Sequence, residues 1–385
     1  MSKRNEPAIK KGVSRSLDPR TAARELREAI FDPAAALTVF HCSPQYDLDA
    51  LGAELASQFG DVPMMGCTTA GEITPAGYLQ GSLTGVSLSG DGFRAATVRI
   101  DALADLQLAQ GDSAAVDVLS RMRAQGVRPG GASCFGFLLA DGLSTQEEGL
   151  VAALYRNLGD IQLFGGSAGD GTRFGRTFLY HEGRFRTDCA VFALVESQFP
   201  FFVFKTQHFV PSSMKMVVTG ADPSRRIVTE INGEPAGREY ARAVGLEVDK
   251  LTPLIFSAHP VVVRVGGNTY VRSIQKVNDD ESLTFFCAID EGIVLTVAQG
   301  VDLVSNLEEC FAEVEKKLGP PALVLGCDCV LRNIEAEQRG IVERVGDILV
   351  RNNVVGFATY GEQFNAMHVN QTFTGVAIGA RAGHG

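Results

Sequence analysis

The chain has 385 residues, 45% of them hydrophobic and 21% charged, with a formal net charge of −10. That length suits about two or three globular domains, and an acidic balance without a long Lys/Arg stripe argues against nucleic acid, whose binding rests on phosphate neutralisation. The opening residues lack the apolar core of a secretory signal and no run reaches the ~18 apolar residues of a membrane span, so a cytoplasmic protein is expected.

Residues 1–20, with Lys3, Arg4, Lys10 and Lys11, read as a disordered basic head. A charged helix at 21–30, a strand at 37–40 and a helix at 47–59 lead into the Gly-rich turn Gly66-Cys67-Thr68-Thr69-Ala70-Gly71-Glu72. Residues 83–88 and 95–100 read as a hairpin across Gly90-Asp91-Gly92, followed by an amphipathic helix at 113–125. A second strand–helix–strand unit occupies 134–139, 145–158 and 163–170, and its Ala168-Gly169-Asp170 mirrors Ala70-Gly71-Glu72. His181 then falls in an exposed turn between strands at 177–180 and 187–195.

The segment 200–210 is a strand dense in phenylalanine, with proline tolerated at its first position, and it closes in His208-Phe209-Val210. A boundary near 205–225 divides the chain into domains of about 30–215 and 216–380. The second domain reads as strands flanking Asp222-Pro223-Ser224, a helix at 236–243, strands near Ile255 and at 261–265, 283–288 and 292–296, and a helix at 301–318. It ends in another strand–helix–strand unit, whose Gly356-Phe357-Ala358-Thr359-Tyr360-Gly361-Glu362 repeats the first turn as G-x-x-T-x-G-E. The same register superposes Thr84-Gly85-Val86 on Thr374-Gly375-Val376. Uneven spacing of the copies argues against a solenoid and for duplicated α/β domains with mixed sheets.

In each turn, free backbone N–H groups, the hydroxyl of Thr69 or Thr359 and the carboxylate of Glu72 or Glu362 can converge on a small polar ligand. In the competing reading Gly71 and Gly361 supply positive φ, while the threonines and glutamates satisfy loose donors of the turn. A glutamate where a P-loop has lysine argues against phosphate. Cys67 is a candidate nucleophile, but its repeat partner is Phe357 and no histidine is assigned beside it. Cys327-x-Cys329 is too closely spaced for structural zinc, and the eight cysteines, mostly in apolar strands, read as reduced thiols. Among six histidines, His208 stands out, because Phe202, Phe204 and Phe209 give it the apolar setting that a haem iron's axial histidine needs. The alternative is an ordinary half-buried histidine on an edge strand; His368 and His259 are weaker candidates.

These motifs resemble the FIST family of prokaryotic sensory modules, with Gly66 to Ile73 similar to its N-terminal part and Gly356 to Val376 to its C-terminal part. Thr359-Tyr360-Gly361-Glu362 and Asn370-Gln371-Thr372 are the most specific pieces, and Gly165-Gly166-Ser167-Ala168-Gly169-Asp170 is similar to the central motif. The resemblance implies a FIST N-type domain over 30–215, a FIST C-type domain over 216–380, and a non-enzymatic sensor of a small ligand. Stand-alone members include the haem-containing, nitric-oxide-sensing proteins called NosP, which implies non-covalent haem b on His208. It also implies nitric oxide as signal and a partner histidine kinase as the regulated output, bearing on two-component signalling and biofilm behaviour. Other members imply a haem-free receptor for amino-acid-like metabolites, here centred on Thr69, Gly71, Glu72, Thr359, Gly361, Glu362 and Asn370. A cysteine-dependent enzyme using Cys67 is the third reading.

Overall fold

The computed structural model describes residues 9–380, which form three copies of one unit and an insertion. The first copy runs β1 (Ile9–Ser14), α1 (Pro19–Ile30), β2 (Ala35–Cys42), α2 (Leu48–Phe59), β3 (Met64–Thr68), a hairpin of β4 (Glu72–Thr74) and β5 (Gly77–Leu79), then β6 (Leu83–Ser89). The second repeats it as β7 (Phe93–Asp101), α3 (Leu108–Ala124), β8 (Cys134–Ala140), α4 (Glu147–Tyr155), β9 (Gln162–Ser167), a hairpin of β10 (Leu179–His181) and β11 (Arg184–Arg186), then β12 (Cys189–Ser197). The third opens with β13 (Phe201–Thr206) and is at once interrupted.

The insertion comprises β14 (Phe209–Asp222), β15 (Ile227–Ile231), β16 (Glu234–Pro235), α5 (Ala236–Val244), α6 (Pro253–Ala258), β17 (Val261–Val265), β18 (Asn268–Arg272), β19 (Ile274–Val277), β20 (Leu283–Phe285) and β21 (Val294–Gly300). Its strands form a separate eight-stranded sheet around its own apolar cluster. The third copy then resumes with α7 (Leu303–Leu318), β22 (Leu323–Cys329), α8 (Val330–Gln338), α9 (Val342–Arg351), β23 (Val354–Thr359), a hairpin of β24 (Glu362–Phe364) and β25 (Met367–Val369), and β26 (Phe373–Ile378).

The three sheets have one order: β1-β6-β2-β3, β7-β12-β8-β9 and β13-β26-β22-β23. Their third and fourth strands are parallel, joined by helical crossovers, and so are buried on both faces and near-continuously apolar. Alternate side chains explain the layers. Leu37 and Val39, Phe135, Phe137 and Leu139, and Leu323, Leu325 and Cys327 face one shared core. Phe40 and Cys42 turn outward under α1 and α2, Leu138 and Ala140 under α3 and α4, and Val324 under α7 and α9. Asp18, Asp47 and Asp302 cap α1, α2 and α7 by accepting from backbone N–H groups.

Each copy lends its hairpin to another copy's sheet. β4-β5 extends β23, β24-β25 extends β9, and β10-β11 extends β3, so the exchange closes in a ring. Gly66, Gly165 and Gly356 occupy equivalent places opposite Phe40, Leu138 and Gly326. A Cβ there would come within 2.6, 2.2 and 1.8 Å of the facing carbonyl oxygen. Gly165 rather than Phe164 therefore matches Gly66, one residue away from the alignment that Ala168-Gly169-Asp170 suggested.

Several expectations change. Residues 9–14 of the expected disordered head are β1, paired with β6, whereas residues 1–8 lie outside the described residues. β6 and β7 do not form a hairpin: the chain passes from one sheet to the next at Gly90-Asp91-Gly92. Residues 177–195 are not a single hairpin either, because β12 pairs with β7 and β8 while β10 joins β3. Ile255 lies in α6, with Pro253 in its first turn and Thr252 accepting from the Ile255 N–H. Beyond Thr206 the chain enters the insertion, so the region expected as one domain over 216–380 holds most of the insertion and the remainder of the third copy.

Candidate ligand site between the insertion and the hairpin ring

The two G-x-x-T-x-G-E turns have the same internal bonding. Thr69 Oγ1 donates to Glu72 Oε1 at 2.6 Å, while Ser82 N and Oγ donate to Glu72 Oε2 at 3.0 and 2.8 Å. Likewise Thr359 Oγ1 donates to Glu362 Oε1, and Thr372 N and Oγ1 donate to Glu362 Oε2 at 3.1 and 2.7 Å. Both glutamates are buried, and burial pushes Glu72 above the usual carboxyl range and Glu362 to about 8, against the opposing hydrogen bonds. Thr69, Glu72, Thr359 and Glu362 thus direct their polar atoms at one another and hold the exchanged hairpins in place. Gly71 takes φ 147°, as the turn-forming reading expects, but Gly361 does not have positive φ. It is needed for space, since a Cβ there would sit 2.3 Å from His368 Cε1 and 3.1 Å from Asn370 Nδ2.

Asn370 is different. It is fully buried, and neither Oδ1 nor Nδ2 has a hydrogen-bond partner among the described residues. A buried amide left this way costs ~1–3 kcal/mol per unsatisfied group, so it is rarely kept without something to bind. Gln371 beside it, at φ 50°, leaves Nε2 unpartnered as well. Nearby on β25, His368 is buried with its pKa held down by desolvation, and its backbone carbonyl accepts from Arg272 Nη1 of the insertion at 3.3 Å.

Arg272 Nε and the neighbouring Ser273 Oγ are also buried and unpartnered among the described residues. Apolar rings border the same junction: Phe174 packs on Tyr360 at 4.5 Å and on Phe286 of the insertion at 5.5 Å. Buried Arg226 ties the two bodies, donating to Glu147 at 2.5 Å and Glu148 at 2.6 Å of α4 and to the Phe286 carbonyl at 2.6 Å. Sequence reasoning singled out Asn370 but missed Arg272, at the end of β18, and Ser273, between β18 and β19, where the pattern carries no signal for a site.

His208 is fully buried. Its Nε2 donates to Glu335 Oε2 at 2.8 Å and its Nδ1 accepts from Arg332 Nη1 at 3.0 Å, so both ring nitrogens are engaged. Arg332 Nε donates in turn to Asp328 at 2.6 Å, which also accepts from Tyr78. The phenylalanines do not form one wall around the ring: Phe209 packs on it at 4.2 Å and against Val262, Val271 and Ala298, but Phe204 packs on Phe311 and Phe373, and Phe202 lies under Lys317 of α7. An iron ligand needs a free nitrogen facing an open apolar slot, and His208 as arranged does not fit one.

Cys67 does have a histidine beside it, contrary to expectation, with His41 Nδ1 3.6 Å from Sγ and the ring stacked on Phe357 at 4.4 Å. Burial drives the thiol pKa well up and His41 down to about 3, which opposes formation of a thiolate–imidazolium pair. His181, expected to be exposed, is buried in β10, with Nε2 3.0 Å from Thr97 Oγ1. Among the described residues no group of three or more His, Cys, Asp or Glu side chains is placed to hold a metal, and no helix is long and apolar enough to cross a membrane.

Residues 36–234 match the family model for the FIST N domain, and residues 236–365 match that for the FIST C domain. No curated protein matches the chain. Among solved structures, T. maritima PurL complexed with FGAR is similar over 97% of this chain and 73% of its own, at 11% identity and a TM-score of 0.21.

Proposed function

The chain belongs to the FIST family, whose domains sense small ligands in signal transduction, and from that premise we propose that it is a receptor for an amino-acid-like metabolite held where the insertion meets the hairpin ring. The observation that carries the reading is the Asn370 amide, buried with both ends unpartnered among the described residues. One amide offers a donor to a carboxylate through Nδ2 and an acceptor to an ammonium through Oδ1, the two charges that an α-amino acid places side by side. Phe174, Phe286 and Tyr360 offer an apolar border for a side chain.

The ring contributes Asn370 and Tyr360, and the insertion contributes Phe286. A ligand touching both bodies favours one placement of the insertion on the ring, and that change in population is the signal. Glu362 acts one step back, holding Thr372 two residues from Asn370, and Glu72 does the same for the equivalent turn of the first copy.

Thermal shifts with each of the twenty common L-amino acids test this. At about 100 times its Kd a ligand adds roughly 2.7 kcal/mol, which raises Tm by several degrees, and Asn370→Leu abolishes that response. A panel in which none shifts Tm, or an Asn370→Leu variant that responds like the parent, overturns the reading.

A further inference from the structure

The sheet of the insertion splits. β17 pairs with β21 only through Val261 with Val297 and Val262 with Thr296; beyond that, β17 leaves with β18 while β21 stays with β14. A cavity of about 520 Å³ opens in the fork, a volume suited to a small organic ligand. Val263, Val265 and Val294 line it, the last two about half exposed at its mouth.

Three cations, Lys215, Arg264 and Arg272, also line this cavity, and no Asp or Glu does. Arg272 is 8% exposed, and its Nε has no hydrogen-bond partner among the described residues. Among those residues none of the three stands within 4.0 Å of a carboxylate. A guanidinium withdrawn from water without a counter-ion is unfavourable, and an anion supplied from outside removes that cost. Lys215 and Arg264, both exposed, add a positive field at the entrance.

We propose that this fork is a second ligand site, which takes a carboxylate with an unbranched apolar body. The carboxylate lies on the Nε–Nη2 edge of Arg272, which can meet it with two parallel N–H donors while Nη1 stays on the His368 carbonyl, and the apolar body runs along the valines to the mouth. The site stands on the insertion's own residues and does not depend on Asn370.

Octanoate, with octanol as the uncharged control, tests it by calorimetric titration and thermal shift on the full chain. Octanoate binds and raises Tm, and octanol does not. Arg272→Gln weakens octanoate at least tenfold, Arg264→Glu weakens it and flattens its salt dependence, and Asn370→Leu leaves it unchanged. Should Arg272→Gln fail to fold, Val294→Trp, which fills the mouth from a half-exposed position, gives the same loss. Equal binding of octanol, or octanoate affinity unaltered by Val294→Trp and Arg264→Glu, overturns the proposal. A synthetic acidic peptide that binds in place of octanoate overturns it too, in favour of a protein partner.

Discussion

Glu362 holds a proton in the fold that it loses in the unfolded chain. Its carboxyl, raised to about 8 by burial, is protonated at neutral pH, whereas the same group in the unfolded chain titrates near 4.5. Between those values the folded state binds more protons at this site than the unfolded one, so the contribution of Glu362 to stability is fully present below pH 4.5 and falls as pH rises towards 8, by up to about 1.4 kcal/mol per unit. With Glu362 protonated, the Thr359 hydroxyl donates to the Asp328 carbonyl at 3.4 Å and accepts from the carboxyl, so Glu362→Gln keeps a donor for Thr359 and an acceptor for Thr372. Urea midpoints from pH 5 to 8 should therefore decline less steeply in the variant; parallel curves would mean that Glu362 is ionised. His208→Ala leaves Arg332 and Glu335 facing a gap, and about 3 kcal/mol should be lost from the denaturant-derived stability. The repeated turns were legible as motifs, but the reach of each glutamate to Ser82 or Thr372, ten residues on, was not. The partners of His208 were not legible, because they stand 124 and 127 residues away, where local pattern carries no information.

At the level of elements, the turns act as latches for the exchanged hairpins, and their strands need glycine where backbone meets backbone. Gly356→Ala would force a Cβ to 1.8 Å from the Gly326 carbonyl oxygen, which the sheet can relieve only by parting β22 from β23. We expect a loss of about 3 kcal/mol or more, against less than ~0.5 kcal/mol for Gly130→Ala, where a Cβ meets nothing within 4 Å. Equal melting temperatures for the two would refute the argument. Helices capped by Asp47 and Asp302 were readable to within a few residues, since cap and apolar period coincide. The destination of β4-β5 was not readable: alternation identifies a short strand but never its partner.

For the whole molecule, the insertion enters and leaves at one point. Phe209 pairs with Gly300, and Val301 N donates to the His208 carbonyl at 2.7 Å. Replacing residues 209–300 by two glycines should therefore leave a folded three-copy ring with one cooperative melting transition, while amino-acid and octanoate responses vanish together. Loss of cooperative melting would show that the ring needs the insertion to fold. The repeated turn announced duplication, and the third copy was visible in outline. The closed exchange was hidden because it is a property of pairing between copies.

That exchange has a consequence for biosynthesis. Glu72 and Ile73 wait for Phe357 and Gly356, near the far end of the chain, before they have a partner strand. At translation rates of ~5–20 residues per second, β4-β5 stays without its partner strand for tens of seconds, with its edge open to any other nascent chain. Two molecules delayed at this stage can each accept the other's hairpin, so crowded refolding should yield interlocked dimers, whereas dilution favours the closed monomer.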